Sequence, residues 1–314
     1  MLTNYLTMVG LGFLIGNLTG LLGVGGGFII TPVLLMLKIP ANKAIGTSLV
    51  TLTLASFIAV IKHSRLGNVD FKRGIISAIA ASAGMSIGVI LVSIIKNLWN
   101  LDLAINLAYM MILYIVALYS LKESVLAIKG EKRNHSDTKI DTEKQSLTSR
   151  LGFIKLAVTS ILTGILAGFL GAGGGFLYVP LFIYILGFPT LTAIGTSLFT
   201  VFISGIVGAI GHFIYGNIDL ITSLLLFIGM SMGVQTGASL TKMMRASYIR
   251  FMYSLCIWLT AISLTFRLSA NLLNISTLFM IGQVSLVYGI SIYSIIILIY
   301  GIISKIKLLH QKNK

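Results

Sequence analysis

Two short segments carry the residues most capable of chemistry. Residues 20–32 read GLLGVGGGFIITP and residues 168–180 read GFLGAGGGFLYVP, an offset of 148. Gly25, Gly26 and Gly27, and equally Gly173, Gly174 and Gly175, let the backbone turn in ways closed to other residues and let a ligand approach it. The N–H groups that open the following helix, from Phe28 or Phe176 onward, present positive partial charge. Two such ends meeting would hold an anion without a buried lysine or arginine. Triple glycine can also serve helix packing alone. A proline beside each copy, Pro32 and Pro180, favours the binding site.

The duplication extends further. At an offset of 149, Ala44-Ile45-Gly46-Thr47-Ser48-Leu49 matches Ala193-Ile194-Gly195-Thr196-Ser197-Leu198. The hydroxyls of Thr47, Ser48, Thr196 and Ser197 could donate to an oxyanion, or bond back to their own helices. His63 pairs with His212, and either could gate one side or carry a proton, since histidine titrates near neutral pH. Asp70 and Asp219 follow Gly-Asn turns and precede helices, the position of an N-cap.

Two familiar patterns are excluded by context. Gly84-Met85-Ser86-Ile87-Gly88 and Gly229-Met230-Ser231-Met232-Gly233 match a hydrolase elbow, but lie in apolar helices with no acid near in sequence. They read as small-residue packing faces, on which Ser86 and Ser231 could reach a cavity. The glycine run is not a dinucleotide fingerprint either, because no acidic residue occurs before Asp70. One cysteine, Cys256, leaves neither an intramolecular disulfide nor a thiol-metal cage. No cofactor and no metal site is expected, and the chain does not read as an enzyme.

These residues must be positioned inside a bilayer. The 314 residues are 56% hydrophobic and 10% charged, with mean hydropathy +0.99. A soluble domain carries about 25% charged residues. The apolar runs exceed the roughly ten-residue strands of a membrane barrel, so an all-α polytopic membrane protein is expected. A net charge of +15 would suggest nucleic acid in a soluble protein. Here the basic residues separate apolar runs, so nucleic-acid binding is not expected.

Residues 1–38 are too long for one span and barely enough for two. If this segment and residues 151–186 each enter and return as hairpins, 19 of the 23 basic residues fall on one side. Only Lys38, Lys43, Lys96 and Arg267 remain opposite. The positive-inside rule therefore selects hairpins, with the linker and the C-terminus cytoplasmic. The first repeat covers 1–121, with spans near 42–62, 73–95 and 102–121. A polar linker over 122–150 reads as a solvated loop, and the second repeat covers 151–267. Residues 268–314 hold an extra C-terminal helix and a basic tail. The repeats then have inverted topology and glycine-broken helical hairpins, which is the pattern of a secondary transporter. His63 and His212 would lie at opposite faces.

At GLLGVGGGFIITP…AIGTSL and GFLGAGGGFLYVP…AIGTSLF the chain resembles the sulfite exporter TauE/SafE family, also called the 4-toluene sulfonate uptake permeases. The resemblance covers both halves except the linker and the last helix. It implies a plasma-membrane permease for small sulfur-containing or organic anions such as sulfite, sulfoacetate or sulfonates. The family's glycine motif falls on Gly23, Gly25, Gly26 and Gly27 and on Gly171, Gly173, Gly174 and Gly175; its G-T-S motif falls on Gly46-Thr47-Ser48 and Gly195-Thr196-Ser197. The reading is a carrier moving a small anion by alternating access, with export needing only the membrane potential. Its alternatives are an anion channel and a non-transporting scaffold, and a homo-oligomer is possible.

Overall fold

The computed structural model describes residues 2–98, 101–131, 150–273 and 275–312, which form helices and connecting turns. Nine of the described helices are long and apolar enough to cross a membrane. The chain is an all-helical, multi-pass membrane protein.

The first apolar segment breaks where the glycines sit. Helix α1 (Leu2–Leu22) ends, residues 23–26 turn, and α2 (Gly27–Met36) follows. Three more helices complete the half: α3 (Ala41–Arg65), α4 (Phe71–Leu98) and α5 (Leu101–Glu131). The second half repeats this order with α6 (Arg150–Leu170), α7 (Gly175–Pro180) and a π-helical turn (Leu181–Ile185). It continues with α8 (Thr190–Ile214), α9 (Leu220–Leu240) and α10 (Ala246–Leu273), and α11 (Ser276–Lys312) is additional. The ten residues of α2 rise about 15 Å, half the thickness of a bilayer core. Helix α2 therefore cannot span.

Packing fixes the direction of each broken segment. Gly12 lies on Leu226 and Gly20 on Val234, so α1 runs parallel to α9. After α2 the chain is again beside the start of α9, where Asn42 donates to Asn217 at 2.7 Å. The segment thus enters from one end and returns to it. In the second half Gly164 lies on Ala81 and Gly168 on Met85, so α6 parallels α4. Its return limb ends with Phe188 beneath Arg73, at the start of α4.

The halves are interleaved rather than side by side. The broadest packing couples α1 with α9 and α4 with α6, each joining the two repeats. At these seams Gly84 and Gly88 press on Ile161 and Ile165, and Gly229 and Gly233 on Val9 and Phe13, where a β-carbon would collide with backbone. The small-residue reading of both segments therefore holds. Ser86 and Ser231, however, donate to carbonyls of their own helices at 3.1 and 2.8 Å. The polar groups there are satisfied locally, as backbone in lipid requires.

Helices α3 and α8 form the centre, with 72% and 61% of their apolar 18-residue stretches buried against 28% in α11. Exposed Ile, Leu and Met side chains on the outer helices, such as Ile79, Ile115, Met232 and Ile296, face outward as lipid contact demands. One expectation needs correction. Residues 122–131 are not loop but continue α5, because their apolar residues extend the span by further turns. The remainder of the expected linker, 132–149, lies outside the described residues. Helix α10 also runs past the expected end at 267, to Leu273.

Candidate functional site

The turn that ends α1 needs glycine for two different reasons. Gly23, Gly25 and Gly26 have φ of 73°, 70° and 81°, and Gly171, Gly173 and Gly174 have 70°, 65° and 78°. This left-handed region costs other residues about 1–2 kcal/mol each. Gly27 and Gly175 have ordinary backbone but no room: a β-carbon on Gly27 would strike the Ala172 carbonyl, and one on Gly175 the Val24 carbonyl. Each tip is thus packed on the other, and Phe28 stacks on Phe176 with centroids 5.8 Å apart. The motif is explained residue by residue.

The tips lie at mid-depth. Gly25 faces Val201 and Ser56, and Gly173 faces Leu52, near the middle of the central helices α3 and α8. All six glycines of the two triplets are buried. Ile29 and Ile30 donate to the Gly26 carbonyl and Leu177 and Tyr178 to the Gly174 carbonyl, so it is the N–H groups of the first two residues, Gly27 and Phe28 and likewise Gly175 and Phe176, that precede the helical bonding pattern. Beside the first tip, the Ser56 hydroxyl is fully buried and has no hydrogen-bond partner. The equivalent position in α8 is Gly205. Tyrosines brace the tips from α5 and α10: Tyr109 donates to the Leu170 carbonyl at 2.8 Å, and Tyr253 to the Phe176 carbonyl.

The Thr-Ser pairs are also buried, but the structure gives them other partners. Thr47 accepts the Asp219 N–H at 2.9 Å, and Thr196 accepts the Asp70 N–H at 3.0 Å. Ser48 accepts from Thr31 at 2.8 Å, and Ser197 donates to the Gly23 carbonyl at 2.9 Å. The Thr47, Thr196 and Ser197 bonds tie each central helix to the other repeat, while Ser48 is held by Thr31 of its own repeat. The pairs lie near the starts of α3 and α8, on either side of the tips, and do not converge with each other.

His63 and His212 lie near the far ends of α3 and α8, and both are buried. His63 Nδ1 receives the Asn68 amide at 3.3 Å, which leaves Nε2–H to donate to the Gly20 carbonyl at 2.8 Å. That carbonyl belongs to the last turn of α1, just before the break. His212 stands 3.5 Å from Asn217 and is turned toward Gly168, but its Nε2 makes no bond of good geometry. Asp70 and Asp219 cap their helices, accepting from the N–H of Arg73 at 3.1 Å and of Thr222 at 3.2 Å.

A crevice of about 740 Å³ opens at the end that carries Arg73 and Arg250. Its wall includes Asp70, Arg73, Glu123, Tyr184, Thr190 and Arg250. Deeper, Arg250 and Tyr184 also line a hollow of about 10 Å³ with Leu22, Ile194 and Tyr253. That hollow reaches the last residue of α1, directly beneath the first tip. Sequence reasoning counted Arg250 and Arg267 only as topology charges. The signal that finds them is the repeat itself: at an offset of 144, Arg250 falls on Asn106 and Arg267 on Glu123. Among the described residues no group of three histidine, cysteine or acidic side chains is placed to hold a metal.

A family model described as sulfite exporter TauE/SafE matches residues 8–264, which include both tips and the crevice. The chain belongs to the sulfite exporter TauE/SafE family. The matched segment takes in both repeats and ends before α11. Over 259 residues the chain is 27% identical to the probable membrane transporter protein YunE of Bacillus subtilis, covering 78% of this chain and 92% of that protein. It is 32% identical over 200 residues to a probable membrane transporter protein of Xylella fastidiosa, covering 63% and 70%. A second Bacillus subtilis protein, the probable membrane transporter protein YdhB, is 28% identical over 74% of this chain and 88% of its own length. No solved structure matches the chain. TauE/SafE membership makes this a membrane transporter with a small-molecule substrate, not an enzyme.

Proposed function

We propose that the protein carries a small sulfur-containing or organic anion, of the sulfite, sulfoacetate or sulfonate class, across the plasma membrane by alternating access. The observation that carries this reading is the meeting of two glycine tips at mid-depth beside a buried hydroxyl, Ser56, that has no partner. Backbone N–H groups at a helix start and one spare hydroxyl form a donor set suited to an oxyanion. In the present arrangement the tips touch, so the anion enters only as they part. Gly25, Gly26 and Gly27 with Gly173, Gly174 and Gly175 are the binding elements. Thr47, Ser48, Thr196 and Ser197 hold the tips in register, His63 braces the end of α1 through the Gly20 carbonyl, and His212, with its Nε2 unbonded, is the freer of the two to gate or carry a proton.

The mechanism follows from the paired contacts. Each tip belongs to one repeat and rests on the central helix of the other, so rocking one repeat against the other moves both tips together. The two repeats read as inverted copies, with the basic end cytoplasmic. Export of a monoanion then runs down an inside-negative potential, at about 2.3 kcal/mol per 100 mV, without a coupling ion. Purified protein in proteoliposomes tests this. Labelled sulfite uptake should saturate and rise when unlabelled sulfite is trapped inside. Flux that shows no counterflow and exceeds carrier rates would make it a channel, and no anion flux at all would overturn the reading.

A further inference from the structure

Helices α5 and α10 occupy equivalent places in the two repeats, at an offset of 144. Tyr109 and Tyr253, equivalent by this offset, both donate to tip carbonyls. Tyr114 and Trp258, also equivalent, meet edge to face at 5.5 Å, so the relating axis passes between them. The same offset puts Asn106 opposite Arg250 and Glu123 opposite Arg267. Each end of the molecule therefore carries a pair built from the same two positions.

The two pairs are in different states. At one end Arg267 is 7% exposed and donates Nη1 to Asn106 Oδ1 at 3.1 Å. Asn106 donates to the Asp102 carbonyl at 2.7 Å, and the Asp102 carboxylate accepts the Ala41 N–H at 3.1 Å. That end is tied shut. The Nε of both arginines is buried with no acceptor, but at the other end Arg250 and Glu123 both line the 740 Å³ crevice, whereas Arg267 is held through its Nη1 by Asn106. The neighbouring cation is committed elsewhere: Arg73 pairs with Asp70 at 3.1 Å and lies over Phe188. Tyr184, Thr190 and Thr192 supply the remaining polar groups of the wall.

We propose that Arg250 is the capture site of this crevice, taking a small oxyanion in a two-pronged hydrogen bond on the path to the first glycine tip. This rests on the transporter reading above. A guanidinium offers parallel N–H groups that match two oxygens of a sulfite, sulfonate or carboxylate and match chloride poorly. A buried donor without an acceptor is costly, so the site favours an arriving acceptor. Glu123, on the same wall, is the competitor. When the anion moves on, its carboxylate takes the guanidinium and ties this end as Arg267 ties the other.

Titration of the full-length protein in detergent tests the proposal, with thermal shift as the readout. Sodium sulfite, sodium sulfoacetate and sodium chloride are compared at constant ionic strength. Arg250→Gln should weaken oxyanion binding by about tenfold or more, the loss expected for a charge-assisted hydrogen bond. Arg250→Lys should keep part of the affinity and lose the preference for oxyanions over chloride. Glu123→Gln should bind several-fold more tightly, and Arg73→Gln should stay within about twofold of wild type. If wild type binds an oxyanion and a well-folded Arg250→Gln or Arg250→Lys binds it equally, the capture site is overturned while the tip reading stands. Loss of binding in Ser56→Ala without loss in Arg250→Gln has the same meaning. Failure of wild type to bind either oxyanion overturns both readings.

Discussion

The two hairpins share a motif and differ in what surrounds it. The first returns from its tip through a regular ten-residue helix, α2, every residue of which is buried. The second returns through six residues of α7 and then a π-helical turn whose Ile183 and Tyr184 line the crevice. Thr31 of the first hairpin bonds Ser48 and the Gly171 carbonyl, whereas Val179 stands in its place in the second. Ser56 faces the first tip and Gly205 replaces it near the second. Identical glycines build the same turn twice, but the unpartnered Ser56 hydroxyl stands beside the first tip and the crevice borders the second limb. On the reading proposed above, the shared residues build the turn and the unshared ones divide binding from opening.

That division can be broken from the tips outward. Gly27→Ala and Gly175→Ala should be the most damaging pair, each costing about 3 kcal/mol, because the new methyl meets backbone of the other tip and not a movable side chain. Both variants should lose the monodisperse peak in size-exclusion chromatography. If one is tolerated, the tips are less symmetric than their contacts. Ser56→Ala should separate function from stability. It removes a buried hydroxyl that bonds nothing, so the midpoint of thermal unfolding should hold or rise while sulfite flux falls about tenfold. Full flux in this variant would move the binding role away from the first tip.

The histidines give a smaller contrast. His63→Gln loses a bridge from Asn68 to the Gly20 carbonyl, about 1–2 kcal/mol, while His212→Gln loses less because its Nε2 is unbonded. Thermal unfolding should register a gap of about 2–4 °C between the two variants. Equal midpoints would mean that the two rings brace their helices alike. Thr31→Val, which copies Val179 into the first hairpin, should have the least effect, about 1 kcal/mol, read from the same melts.

Much of this was legible in the chain. The glycine motif, its repetition and the hairpin breaks were read from spacing, since left-handed turns and backbone contact leave few choices of residue. Asp70 and Asp219 were placed as caps because a carboxylate after Gly-Asn and before a helix has one common use. The partners of Thr47 and Thr196 were not legible, because Asp219 and Asp70 lie in the opposite repeat. Ser56 gave no signal either: a serine in a helix usually bonds its own backbone, and only the packed structure shows that this one does not. Arg250 and Arg267 were hidden by their charge, which the topology count had already used.

The interleaving of the halves has a consequence for how the protein is made. Asn17 on α1 meets Thr236 on α9, 219 residues further along the chain. At about 5–20 residues per second, synthesis separates these two partners by roughly 10–40 s. Through that interval α1 sits in the bilayer with its glycine face, Gly12, Gly16 and Gly20, against lipid or an insertion factor. The first repeat cannot finish folding when it has been inserted; its last partner is among the final spans to leave the ribosome.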